Sequence, residues 1–194
     1  MAASTRSIGP RGVVLAREQS SGALCTEIEF SSLLNAPAAR VWSQVTDFRQ
    51  INAELMPILR MTVPSDWTDL SLESIRPGQK LFRSWLLLFG VLPIDYDDLG
   101  IAEVGPGYRF RERSQMMSAV TWEHERLVED AASGKCQITD RVRFTPRWKL
   151  SGLVLNWFVP RLFAHRHHKL RVRFSSTGPG SRAPQQRRCS SGPH

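Results

Sequence analysis

The chain opens its ordered part with alternation. Polar and apolar residues alternate through Glu27-Ile28-Glu29-Phe30, which predicts a first strand running to about Leu34. Asn35-Ala36-Pro37 then marks a helix start, because proline is favoured at the first helical position and asparagine caps just before it. Val41, Trp42, Val45 and Phe48 follow at helical spacing and form one apolar stripe, and Asp47 is expected to end the helix. Ile51–Leu59, around Met56-Pro57, predicts a second short helix. Residues 64–79 are loop-rich and close on Pro77-Gly78.

Beyond Pro77-Gly78 the period changes to two. Lys80–Phe89, Ile94–Val104, Gly107–Met116, Val120–Asp130 and Cys136–Pro146 read as strands, with a further strand expected between residues 60 and 75. Gly90–Pro93, Gly105-Pro106-Gly107 and Ala131–Lys135 separate them, and connections this short imply antiparallel neighbours. Leu150–Phe174 reads as a long helix. Leu150, Leu153, Val154, Trp157, Phe158, Leu162 and Phe163 cover well over half its circumference, so its first half is expected to be buried, with a kink at Pro160. The order strand, two short helices, meander, long helix predicts an α+β fold with helices on one side of an antiparallel sheet.

Alternation also assigns faces. Tyr108, Phe110, Glu112, Ser114 and Met116 share one face of their strand, opposite Arg109, Arg111, Arg113 and Gln115. Val120, Trp122, His124, Arg126 and Val128 share the next, and Cys136, Ile138, Asp140, Val142 and Phe144 the one after. Three neighbouring strands thus set Glu112, His124, Arg126 and Asp140 on an otherwise apolar inner surface. An unpaired buried carboxylate costs several kcal/mol or takes up a proton, so these groups must pair with one another or meet polar ligand atoms. His124 beside Asp140 or Glu112 has the makings of a general base on an acidic carbon. A buried hydrogen-bonded network that orients the sheet is the competing expectation, and the more economical one.

At 194 residues, 41% of them hydrophobic, the chain suits one domain with a real core, and 23% charged residues with six Trp exclude wholesale disorder. The net charge of +8 is concentrated at the end: residues 160–194 hold eight Arg and Lys and no acid, while the rest is neutral. A solvated basic tail over 175–194 is expected, with at most weak, salt-sensitive attraction to phosphates or anionic lipid and no specific nucleic-acid partner. Residues 1–24 are expected to be a disordered leader, a ragged start in preference to a transit peptide, leaving a folded unit over 25–174. Cys25, Cys136 and Cys189 lack metal-ligand spacing and suit a reduced, cytoplasmic setting. No apolar run reaches the ~18 residues of a membrane span. Asp95, Asp97 and Asp98 read as a solvated strand edge in preference to a cation site. His165, His167 and His168, among Arg166, Lys169 and Arg171, read as a cationic last helical turn in preference to a metal site.

Three words in the sequence carry a resemblance. They are Leu34-Asn35-Ala36-Pro37 through Val41-Trp42 to Asp47-Phe48; Trp122-Glu123-His124-Glu125-Arg126-Leu127 with Ile138-Thr139-Asp140-Arg141-Val142-Arg143-Phe144; and Leu162-Phe163-Ala164-His165-Arg166. In this order, over about residues 26–172, they resemble the START-like superfamily, also called SRPBCC, whose members include polyketide cyclase/dehydrase-like proteins and lipid carriers. The resemblance implies a helix-grip fold: a curved antiparallel sheet wrapped around the long C-terminal helix, with an apolar cavity between them. It implies a hydrophobic ligand (lipid, isoprenoid or polyketide-like), carried or sensed without a cofactor. Trp85, Tyr108, Phe110, Glu112, Trp122, His124, Arg126, Asp140, Val142, Phe144 and Trp157 are the expected ligand-binding residues. A cyclase/dehydrase-type enzyme using His124 with Asp140 or Glu112 is one alternative. A membrane- or partner-binding protein working through its basic C-terminal end and the apolar 150–163 segment is the other.

Overall fold

The computed structural model describes residues 4–8, 12–18, 24–65 and 78–175. Its elements are β1 (Ser4–Ile8), β2 (Gly12–Glu18), β3 (Leu24–Leu34), α1 (Ala38–Val45), α2 (Phe48–Leu55), β4 (Leu59–Met61), β5 (Gln79–Leu88), β6 (Leu92–Gly105), β7 (Tyr108–Met116), β8 (Ala119–Ala131), β9 (Lys135–Pro146) and α3 (Lys149–Ser175). One sheet holds all the described strands in the order β1-β2-β3-β9-β8-β7-β6-β5-β4, antiparallel throughout. Strands β3 to β9 form a curled half-barrel that grips α3, the α+β helix-grip architecture. Ser4–Ile8 and Gly12–Glu18 pair with each other and with β3 and extend the sheet. The expected basic tail lies outside the described residues from position 176 onward, as do residues 66–77.

Local chemistry shifts several predicted boundaries. Asn35 does not cap α1, whose N-cap residue is Pro37. The free amide of Ala38 instead donates to Asp130 Oδ1 at 3.0 Å, so a carboxylate at the far end of β8 caps a helix 92 residues earlier. Asp47 does not end α1 so much as begin α2, accepting from the amides of Arg49 (2.7 Å) and Gln50 (3.4 Å). The second helix stops at Leu55, before Met56-Pro57, because a residue preceding proline is pushed out of the helical region. Leu59–Met61, expected to be helical in part, pairs with β5 instead.

The inner face of the sheet serves two apolar clusters. One lies under α1, where Trp42 meets the rings of Tyr108 (5.8 Å) and Phe110 (6.1 Å). The other lies under the first half of α3, where Ile28, Phe30, Val142 and Phe144 face Leu155, Val159, Leu162 and Phe163. Each such side chain contributes about 1.5–3 kcal/mol on burial. Val120 leaves the inner face: the register shifts between Ala119 and Thr121, which turns Ala119 inward and leaves Val120 44% exposed. Outside, the arginine row meets glutamates across strands, as in Arg109–Glu125, Arg113–Glu123, Arg141–Glu29 and Arg143–Glu27.

Replacing Asp130 with alanine strands the Ala38 amide, and should lower the unfolding free energy by ~1 kcal/mol in urea titration. An unchanged midpoint would mean that water caps α1 equally well.

Candidate functional site

A cavity of about 610 Å³ opens between the sheet and the first half of α3. Leu55, Leu59, Met61 and Leu86 form one wall, Met116 and Trp122 the floor, and Leu155, Phe158, Val159, Leu162 and Phe163 the helical wall. The helix supplies this wall because Leu155, Val159 and Leu162 recur at spacings of three and four, one stripe turned to the sheet. The stripe is narrower than the sequence predicts. Leu150, Leu153, Val154 and Trp157 are 56–72% exposed, because the sheet ends before it can cover the start of α3 on more than one side.

Polar groups reach the cavity mainly from the sheet: Asp95, Asp97, Glu112, Ser118 and His124, joined by Arg161 and Arg166 from α3. Asp95 is committed to the β7–β8 turn, accepting from the amide of Met117 and the hydroxyl of Ser118. Asp97 is 4% exposed, and its Oδ1 has no hydrogen-bond partner. Burial, reinforced by the charge of nearby Glu112, holds the Asp97 carboxyl well above the usual range. Only Asp98 of the three aspartates faces out, paired with Arg83. The expected solvated edge is therefore corrected, because β6 crosses the sheet under α3 and turns Asp95 and Asp97 inward.

Behind His124 lies a charge network whose centre, Glu54, Arg126, Asp140, Arg166 and His167, is buried. Asp140 accepts two hydrogen bonds from Arg126 (2.7 and 2.8 Å), one from His124 Nε2 (3.0 Å) and one from His167 Nε2 (3.1 Å). An ionised carboxylate only accepts, so both imidazoles carry a proton on Nε2. Glu54 of α2 accepts from Arg126 (3.2 Å) and from Arg166 (3.3 and 3.0 Å). Ser32 lies between His167 (2.9 Å) and Arg171 (3.0 Å). Burial alone would raise the Asp140 carboxyl, but the Arg126 charge and the four hydrogen bonds hold it well below the ordinary range. Burial would likewise lower the Arg126 guanidinium, and the charges of Asp140 and Glu54 reverse this. Arg166 stays lowered, by burial and then by Arg126 beside it.

The structure sorts the expected ligand-binding residues into four groups. Glu112, Trp122, His124 and Trp157 line the cavity. Arg126 and Asp140 sit behind it, and Tyr108, Phe110, Val142 and Phe144 fill the two core clusters. Trp85 faces away, half exposed against Tyr96. Glu112, His124, Arg126 and Asp140 all face inward as the alternation predicts, but one face serves core and cavity alike and only curvature divides them. His124 does stand beside both carboxylates: Glu112 Oε2 is 3.6 Å from its Nδ1, on the side away from Asp140. Glu54, Arg166 and His167 are the network members missed by sequence reasoning. The expected cationic last turn is corrected, since α3 continues to Ser175 and leaves Arg166 and His167 buried within it. Their signal was their spacing from Leu162, Phe163 and Leu170 on the inward face. Among the described residues no group of His, Cys, Asp or Glu is placed to hold a metal ion.

Residues 32–174 match the family described as a domain of unknown function, DUF8410. The chain belongs to the DUF8410 family. Solved structures similar to this DUF8410 chain include a START superfamily protein from Mycobacterium smegmatis, at 9% identity and TM-score 0.58, covering 77% of this chain and 97% of that one. The Zhui aromatase/cyclase from Streptomyces sp. R1128 is similar at 12% and 0.59 (78% and 94%). Truncated norcoclaurine synthase from Thalictrum flavum is similar at 7% and 0.57 (80% and 97%). The DUF8410 chain thus has the START-like, SRPBCC fold. No curated protein sequence matches it.

Asp140→Asn leaves the buried Arg126 and Arg166 to share Glu54 as countercharge and should cost about 3–5 kcal/mol at neutral pH. Because the folded Asp140 carboxyl is depressed, its contribution is present above the unfolded value near 3.9 and fades as pH falls through the folded one. Asp97 has the opposite sign. Its raised carboxyl makes stability fall as pH rises above about 4 toward the folded value. Asp97→Asn should therefore be more stable than the parent at pH 7 and converge with it in acid, read by denaturant unfolding across pH.

Proposed function

We propose that this chain binds a hydrophobic small molecule (a lipid, isoprenoid or polyketide-like compound) in the cavity between sheet and α3, as a carrier or sensor. The cavity itself carries the reading. Its 610 Å³ lies inside the range of about 300–1,000 Å³ for small-molecule sites, and it combines apolar walls with a few placed polar groups. The polar groups behind it are spent on one another: Asp140 and Arg126 are engaged in the network, which leaves them little to offer a reaction. The inner end is rich in carboxyls, and Arg166 is already held by Glu54. A ligand bearing a hydroxyl suits that end better than one bearing a carboxylate.

A second reading has its own observation. His124 lines the cavity with Asp140 behind its Nε2 and its Nδ1 edge free of a short hydrogen bond. That arrangement suits a general base in a cyclisation or dehydration.

Extraction of purified protein followed by mass spectrometry should release a bound apolar compound. Leu155→Trp, which fills the cavity from its helical wall, should release none while folding normally. An empty parent protein that also takes up no apolar probe would overturn the proposal. Long-chain alcohols should bind at least about tenfold more tightly than carboxylic acids of equal length, an energy difference of ~1.4 kcal/mol. Turnover of a polyketone-like substrate that disappears in His124→Ala would establish the second reading.

A further inference from the structure

The mouth of the cavity is ringed by apolar side chains that nothing in the described chain covers. On one side is the β5–β6 hairpin, with Phe89 67%, Val91 78% and Leu92 56% exposed. On the other is the start of α3, with Leu153 72% and Trp157 58% exposed. The two sides belong to one surface, because Phe89 and Trp157 both line the cavity between them. Scattered exposed apolar residues are ordinary on a soluble protein; a contiguous collar of this kind marks an interaction site.

The hairpin is built to present its ring. Leu88–Val91 forms a tight turn, closed by the Val91 amide donating to the Leu88 carbonyl (3.2 Å), with both central residues at positive φ, Phe89 at 52° and Gly90 at 78°. Positive φ is uncommon outside Gly, Asn and Asp, and for a bulky residue it is strained. Asparagine or glycine would suit the turn, yet a phenylalanine holds the position and exposes its ring. From Leu86 to Ile94 the hairpin carries no charged residue.

Charge selects the occupant. Arg60 flanks the hairpin, its side chain beside Gly90, and Arg147, Lys149 and Arg161 flank the helix, all exposed. The sequence holds no Asp or Glu after Asp140. The Arg147 and Arg161 guanidinium groups lie over the rings of Trp148 (5.9 Å) and Trp157 (4.3 Å), pairing cation with interfacial aromatic at the rim. A second copy of the chain would bring like charges together. An anionic lipid surface offers both an apolar layer for the collar and negative charge for its rim.

We propose that the cavity mouth is a membrane-docking face: the β5–β6 hairpin and the start of α3 dip together into an anionic lipid surface, which sets the opening against the acyl layer. The proposal stands on the collar and would hold whatever the cavity contains.

The full chain is sedimented with vesicles of phosphatidylcholine, or of phosphatidylcholine with phosphatidylserine. Binding should require phosphatidylserine and weaken with salt. The pairs Phe89→Ser with Val91→Ser, and Leu153→Ser with Trp157→Ser, should each reduce it about tenfold or more. These positions are exposed, and unchanged circular dichroism and melting checks that the variants fold. Loss of binding in Arg182→Ser/Arg187→Ser/Arg188→Ser, with full binding in the collar variants, would assign docking to the tail and overturn the proposal. So would equal binding by parent and collar variants, no binding to either vesicle, or a parent dimer that Phe89→Ser with Val91→Ser converts to monomer. Ligand extraction reads the cavity separately, so vesicle binding lost in the collar variants supports docking even when the extracted protein is empty.

Discussion

The buried pairing of Arg126 with Asp140 is the constraint around which the rest is arranged. Two charges removed from water must be matched closely, or they cost more than their attraction returns. Here the match is near complete: Asp140 fills its acceptor sites from Arg126, His124 and His167, and Arg126 turns its remaining edge to Glu54. Because those partners come from β8, β9, α2 and α3, the network fixes the helices against the sheet at one depth. It also sets where the interior can be dry and where it can be open. Above it lies the α1 core, closed by Trp42 and Phe110; below it lies the cavity.

This position explains the character of the cavity's polar end. His124 is held from behind by Asp140, which fixes the orientation of its ring against the cavity. Asp97 and Glu112 stand on β6 and β7, outside the network and short of countercharge, and this is why the Asp97 carboxyl is held high while Asp140 is held low. Two aspartates with opposite displacements on one sheet face are a direct consequence of which of them an arginine reaches. The cavity therefore receives carboxyl character, not the cationic character that the chain's overall charge suggests.

The positive charge goes elsewhere. Across the outer face of the sheet it is matched residue by residue with glutamate. Past Asp140 the sequence adds no further acid, and there the exposed Arg147, Lys149 and Arg161 border the exposed apolar rim of the cavity mouth. Apolar surface left uncovered at the entrance to an apolar cavity joins interior and exterior into one continuous greasy path.

Much of this was legible in the order of residues. Period-two alternation marked the strands and placed Glu112, His124, Arg126 and Asp140 inward, and the Val41-Trp42 and Trp122–Leu127 words pointed to the helix-grip arrangement. Those features are local, carried by spacing within one element, and spacing survives in a linear reading. What the tertiary structure alone decided was everything requiring two distant segments at once. Asp130 capping α1, Glu54 and Arg166 closing the charge network, Asp95 and Asp97 turning under α3, and the bare flank of Leu150–Trp157 each depend on how far the sheet curls before it meets the helix. An apolar stripe states that a face prefers to leave water; only the neighbouring surface determines whether it is given core, cavity or nothing to cover it.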